Sequence, residues 1–403
     1  MASTFGELPK DAKSIESFKL SIQDSSLEEL QTLLRLSKIG PTTWESSQDD
    51  RRYGVTAGWL ASAKEHWINR FDWRSCESHI NSFPQFIATI DEDGERYDIH
   101  FTALFSKKAD AVPIIALHGW PGSFLEFLPI LSILKEKYTP ETLPYHFIVP
   151  SLPGYTLSSG PGPTKPLTMP KATLLLDQLM THNLPFHSGY IASGGDVGSS
   201  VARLLAATHS ACKGMHINLC FMGQPASIPL SSLTDQERGF VQRGQKFRDT
   251  SSAYAMAHGT RPSTIGLALT TSPLALLAWI GEKFLAWSDE DPSLETILES
   301  VSLYWFTETM ARCLYPYRQT WDKERQGHDA PELYVAKPFG YSLFPREVIA
   351  VPRSWAATTG DLSWFRQHDA GGHFAALEKP GEMLGDIEDF ARHVRERGVT
   401  FGS

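Results

Sequence analysis

The stretch Gly194-Gly195-Asp196-Val197-Gly198-Ser199 decides how this chain reads. It separates a short apolar run with strand character, residues 190–193, from a helical pattern over 198–208. Its form is small-x-nucleophile-x-small-small. Small residues at 194 and 198 let a chain pass from strand to helix in a sharp turn that lifts the central side chain above a sheet. The central residue is an aspartate, not a serine or cysteine, and that choice constrains the chemistry. A carboxylate attacking saturated carbon forms an ester, and water can then attack the ester carbonyl. A serine attacking the same carbon would leave an ether, which is a dead end. Taken alone, the hexapeptide also suits an ordinary helix capped by Asp196.

Two further motifs flank this turn. His118-Gly119-Trp120-Pro121-Gly122 follows an apolar strand run over 112–117. In enzymes with a strand–nucleophile–helix elbow, that loop supplies one backbone N–H of an oxyanion hole, and the residue after the nucleophile supplies the other. The expected donors are Trp120 and Val197. Read alone, the same loop is a Gly/Pro turn with a structural histidine. Near the C-terminus, Gly371-Gly372-His373-Phe374 offers a histidine whose flanking glycines let it reach over the sheet. The order expected for such sites is nucleophile, acid, histidine, so the acid should lie between Asp196 and His373.

The pattern around these motifs alternates. Strands are expected at 86–90 and 99–105 around the turn Asp91-Glu92-Asp93-Gly94, then at 112–117, 146–149, 190–193 and 216–220. Helical stretches at 123–137, 174–180 and 198–208 intervene, and 150–163 reads as a loop. Strands alternating with helices imply an α/β fold with a mostly parallel sheet. Residues 224–338 are helical in pattern and rich in aromatics, so a helical segment is inserted into the α/β core. Sheet character is expected to resume at 351–358, before a last helix over 382–397. The first 85 residues read as helical: Ser26-x-x-Glu29 resembles a capping box ahead of Leu27, Leu30, Leu33 and Leu34, a face stopped at Gly40-Pro41. Trp59, Leu60, Ala63 and Trp67 form a second stripe.

Composition narrows the classes of function. The chain has 403 residues, 41% hydrophobic and 21% charged, with a formal net charge of −9. That balance argues against a nucleic-acid binder, which would carry a basic face. Cys76, Cys212, Cys220 and Cys313 are scattered without metal-ligand or disulfide spacing. The N-terminal residues lack an apolar signal core, and the apolar stretch 274–285 is too short to span a bilayer. The expectation is a soluble, cytoplasmic protein with neither nucleic-acid nor membrane partners.

Together the motifs resemble the epoxide hydrolases of the α/β-hydrolase superfamily, in the microsomal-type branch with its soluble fungal members. The resemblance rests on 118–123, 195–198 and 372–374, and on Phe71-Asp72-Trp73-Arg74 and Phe83-Pro84-Gln85-Phe86, and it spans nearly the whole chain. It implies an α/β-hydrolase fold with a mostly parallel central sheet, an inserted helical cap and an N-terminal helical meander. The corresponding segments are 1–85 (meander), 86–223 and 340–403 (core), and 224–339 (cap). It further implies two cap tyrosines that hold the epoxide oxygen, matching Tyr254 and Tyr317, with Tyr315 a weaker candidate. A phenol suits that task, because an unperturbed pKa of about 10 keeps it protonated at neutral pH. The acid partner of His373 matches Glu347 in Phe344-Pro345-Arg346-Glu347. Asp361 is the runner-up by fold logic, and Glu378 reads as a surface or helix-start carboxylate.

The implied reaction converts an epoxide to a vicinal diol through an ester on Asp196, with Tyr254, Tyr317 and Trp120 contacting substrate. It needs no cofactor or metal. Its partners are a small lipophilic epoxide and water, and a homodimer is in keeping with the resemblance. Two other readings stay open: a haloalkane or haloacid dehalogenase with the same Asp–His pair, and a catalytically silent binding protein.

Overall fold

The computed structural model describes residues 4–160, 162–322 and 327–401. The first strand, β1 (Ile15–Phe18), lies within the stretch expected to be purely helical. Next come α1 (Asp24–Leu36), α2 (Ala57–Asn69) and α3 (Trp73–Ile80). The helix α1 begins before the expected box at Ser26. Its N-cap is Gln23 with no side-chain cap, and Asp24 supplies negative charge to the first turn. The second stripe forms as α2, with Thr56 capping it and Ala63 and Trp67 buried.

The hairpin β2 (Gln85–Glu92) and β3 (Glu95–Leu104) turns through Asp93 and Gly94, both at positive φ. Then follow β4 (Val112–Leu117), α4 (Leu128–Lys137), β5 (Tyr145–Pro150) and α5 (Met169–Gln178). The core half closes with β6 (Tyr190–Gly194), α6 (Asp196–Thr208) and β7 (Cys212–Ile217). Strand β7 sits earlier than expected. Residues 218–220 leave the sheet and turn over its end.

Among the described residues, the helices between β7 and β8 are α7 (Asp235–Thr250), α8 (Ala253–Thr260), α9 (Pro262–Thr270), α10 (Pro273–Trp287), α11 (Leu294–Phe306) and α12 (Tyr315–Trp321). No single helix among the described residues is long and apolar enough to cross a membrane. The sheet resumes with β8 (Val335–Leu343), not at 351–358, so the boundary expected at 339/340 falls inside a strand. Pro338 and Gly340 weaken the strand signal there, and the ladder shifts register at both. Residues 351–358 instead contain α13 (Arg353–Ala356), which buries Trp355. The edge strand β9 (Gly360–Gln367) is only half-buried and reads as polar, and α14 (Ala375–Glu378) and α15 (Pro380–Glu396) end the chain.

The strands form one nine-stranded sheet in the order β1-β2-β3-β5-β4-β6-β7-β8-β9. The pairings from β1 through β5 are antiparallel, and those from β5 to β9 are parallel. Both faces are covered, so the central strands are apolar throughout. In β4, Ile115 and Leu117 join the core on one face, while Ile114 and Ala116 join the core on the other. The chain order reverses at β4, with β5 on one side and β6 on the other. A crevice opens at the carboxyl ends of strands at such a switch point, and the loops after β4 and β6 both end there.

Candidate active site

The elbow forms where its small residues require it. Asp196 has φ +46°, a left-handed conformation that side chains adopt at a cost. A Cβ on Gly198 would collide with the Leu117 carbonyl, so only glycine lets α6 approach β4 this closely. Asp196 is the first residue of α6, and Gly195 is the cap. The Trp120 N–H donates to Asp196 Oδ1 at 2.8 Å, and the Val197 N–H donates to the same carboxylate. Asp196 Oδ2 faces His373 Nε2 at 3.3 Å. Burial alone would raise the Asp196 pKa, but His373 and the two N–H donors outweigh it and hold the carboxyl below its ordinary value.

His373 lies in the loop between β9 and α14. Its Nδ1 lies 2.7 Å from Glu347 Oε1, and the Val348 N–H donates to that same oxygen. Glu347 is buried in the loop after β8. Burial works against a charged imidazole, yet the carboxylates of Glu347 and Asp196 raise His373 well above its usual pKa. Asp361, the runner-up acid, points elsewhere: it lies in β9 and pairs with Arg397 at 2.8 Å. Glu378 is not a free surface group, though it does lie in the single turn of α14. It ends α14 and accepts from the N–H groups of Asp289, Gly372 and Phe374, pinning the loop that carries His373. His118 is structural: its Nε2 accepts from the Leu152 N–H, and burial pushes its pKa down to about 4.

Tyr254 on α8 and Tyr317 on α12 meet with ring centroids 5.8 Å apart. Both line a cavity of about 280 Å³ together with Asp196, Val197, Trp287 and His373. The rest of its wall is mostly apolar. Burial, with Tyr254 and Asp196 adding to it, raises Tyr317 well above the usual phenol value, so its hydroxyl stays a donor. Tyr315 is buried against Tyr155 and does not line this cavity. The Trp120 ring does not line it either. It is fully buried, stacks on Tyr254 at 5.2 Å and donates to Met310, so the ring backs the tyrosine, while the backbone N–H of Trp120 is the part that faces Asp196.

Sequence reasoning passed over three groups around the site, one behind Tyr254 and two beside Asp196. Lys283 is buried with its ammonium 4.9 Å from the Tyr254 ring centroid. Asn218 and Glu126 face a second, smaller cavity on the elbow. The only trace Glu126 leaves in the sequence is one acid within the apolar run that follows Gly122.

The sheet order and the aspartate elbow define the class: this is an α/β-hydrolase fold with a carboxylate at its elbow. Comparison with known proteins carries the identification further. Residues 15–127 match the family described as "Epoxide hydrolase N terminus". The solved structure of Aspergillus niger epoxide hydrolase is 52% identical and superposes with a TM-score of 0.93, covering 97% of this chain and 100% of that one. Epoxide hydrolase 1 of Sus scrofa is 29% identical over 94% of this chain and 88% of its own length. The juvenile hormone epoxide hydrolase of the silkworm Bombyx mori, 23% identical with a TM-score of 0.84 over 96% of each chain, shares the fold. The chain belongs to the epoxide hydrolase family.

Proposed function

We propose that this enzyme hydrolyses epoxides to vicinal diols through a hydroxyalkyl ester on Asp196. The observation that carries the residue assignment is the single cavity onto which Asp196, His373, Tyr254 and Tyr317 all open. Asp196 Oδ2 attacks one oxirane carbon, and the C–O bond on the far side breaks. The leaving oxygen takes a proton from a tyrosine hydroxyl, giving a hydroxy ester and a tyrosinate. His373, held by Glu347, then removes a proton from water, and the new hydroxide adds to the Asp196 carbonyl. The Trp120 and Val197 N–H groups hold the resulting oxyanion. Collapse expels the diol oxygen, which takes the proton from His373, and the proton of the regenerated carboxyl returns to the tyrosinate.

Paired phenols suit an oxirane oxygen better than a halide, which favours the epoxide over dehalogenation. The apolar wall of the cavity suits lipophilic epoxides. We also infer that the enzyme works in solution in the cytoplasm. The helical segment 224–334 acts as a cap over a core made of 86–223 and 335–401.

A stoichiometric excess of enzyme, turned over once with styrene oxide in oxygen-18 water, tests the nucleophile. The label is expected in the peptide carrying Asp196. Diol formation with no label in that peptide would overturn the mechanism.

A further inference from the structure

Asp196 and His373 border two cavities. The larger one holds the tyrosines. The smaller one lies on the other side of the elbow, lined by Glu126, Asn218, Gly119, Asp196 and His373 among others. It offers about 10 Å³ to the centre of a water molecule, close to what one water occupies. A buried water also needs two to four polar partners, and this wall presents a carboxyl, a carboxamide and an imidazole. His373 Nε2 has no aligned hydrogen-bond partner among the described residues, since Asp196 Oδ2 stands at 3.3 Å. That nitrogen must receive the proton of the attacking water.

The glycines of the loop after β4 account for how the cavity is built. A Cβ on Gly119 would collide with the Asp196 carboxyl, and a Cβ on Gly122 would collide with the carboxyl of Glu126. One glycine therefore makes room for the nucleophile and the other for a second acid beside it. Asn218 closes the floor: a Cβ on Gly195 would stand 2.7 Å from its Oδ1. Phe124, Leu125 and Phe127 are buried while Glu126 between them is partly buried, and a carboxyl is costly to desolvate even in part without a task.

We propose that Glu126 holds the hydrolytic water in this cavity, accepting one of its hydrogens while His373 takes the other, so that its lone pair faces the Asp196 ester carbonyl. The substrate and the water thus reach Asp196 from different chambers. Asn218 supplies a further polar contact to the water. Burial raises the Glu126 carboxyl to about 8; the His373 charge opposes this and the Asp196 charge adds to it. The shift favours the neutral acid, which limits the negative charge beside Asp196.

The proposal rests on Asp196 as the nucleophile and concerns only the second step. Pre-steady-state tryptophan fluorescence, with intact-protein mass spectrometry of the ester, separates the two steps. Glu126→Leu should form ester at a rate within about twofold of wild type and hydrolyse it at least about tenfold more slowly. The ester should accumulate, with kcat and KM falling together. Glu126→Gln, which keeps an acceptor of the same shape, should stay within about threefold in both steps. Ester that forms and hydrolyses in the leucine variant at wild-type rates overturns the water site and leaves the nucleophile standing. An equal fall in both steps also overturns it, because that is what a merely structural role predicts. The unaltered enzyme supplies a second readout: a crystal structure resolving solvent should show one water hydrogen-bonded to both Glu126 and His373. An empty cavity would overturn the proposal.

Discussion

His373 sits between two carboxylates, Glu347 on Nδ1 and Asp196 beside Nε2. Together they hold its pKa well above the usual value, although burial pulls the other way. Forming the ester removes the charge of Asp196 and with it part of that support. In the intermediate, His373 should therefore give up its proton at lower pH than in the free enzyme and become the base the second step needs. The sign is definite: ester hydrolysis should rise with pH, and its midpoint should lie below that of the His373 imidazole titrated by NMR in the resting enzyme. An equal or higher midpoint would contradict the ion-pair account. At this scale the sequence was most legible where chemistry is local. The elbow, the loop after β4 and the Gly-Gly-His loop each announce themselves within a few residues. Glu347 could be chosen over Asp361 only through the family pattern, because what separates them is direction: one points at His373 and the other at Arg397. Glu126 stayed unread because burial beside a nucleophile is a property of the folded chain.

The strands misread from sequence lie where sheet and periodicity part company. Strand β8 carries Pro338 and Gly340, and β9 is a half-buried edge. Both lie beyond the helical insertion, where alternation with helices no longer helps to locate them. A polar network holds this edge in place. Asp386 on α15 accepts from Ser342 on β8, from Arg366 on β9 at 2.6 Å, and pairs with His368 at 2.6 Å. Burial acts to raise the Asp386 pKa, but His368, His216 and Ser342 outweigh it and lower it. A carboxyl lowered in the folded state stabilises the fold above its unfolded pKa, and that stability is lost as pH falls through the folded value. Asp386→Asn should cost about 2 kcal/mol at pH 7, a buried-pair loss reduced because Arg366 is partly exposed. The gap to wild type in urea denaturation should close below about pH 4. A gap that persists or widens in acid would exclude this role.

Across the whole molecule, the N-terminal segment binds more than one body. Its strand β1 extends the sheet, while α1 packs on α10 and Trp73 on α3 meets Phe306 of α11 at 4.9 Å. The segment thereby braces α10 and α11 of the insertion, which reach the tyrosine-bearing α8 through α9, against the sheet that carries Asp196. Trp73→Ala should cost about 3–5 kcal/mol in urea denaturation. It should slow ester formation, which needs both bodies in register, more than ester hydrolysis, in which water, base and oxyanion donors all belong to the core and a cap tyrosine only recovers its proton at the end. Equal slowing of the two steps in single turnovers would show that the brace does not act across this seam.

That division has a consequence for how such a protein can change. Tyr254 and Tyr317 stand on helices of the insertion, whereas Asp196, His373 and Glu347 stand on loops of the sheet. Substitutions in α8 and α12 can therefore retune which epoxide is opened, and from which side, without disturbing the machinery that frees the enzyme afterwards. The choice of epoxide and the release of the diol thus draw on different stretches of the chain around a shared Asp196, and selection can act on the first while the second is kept.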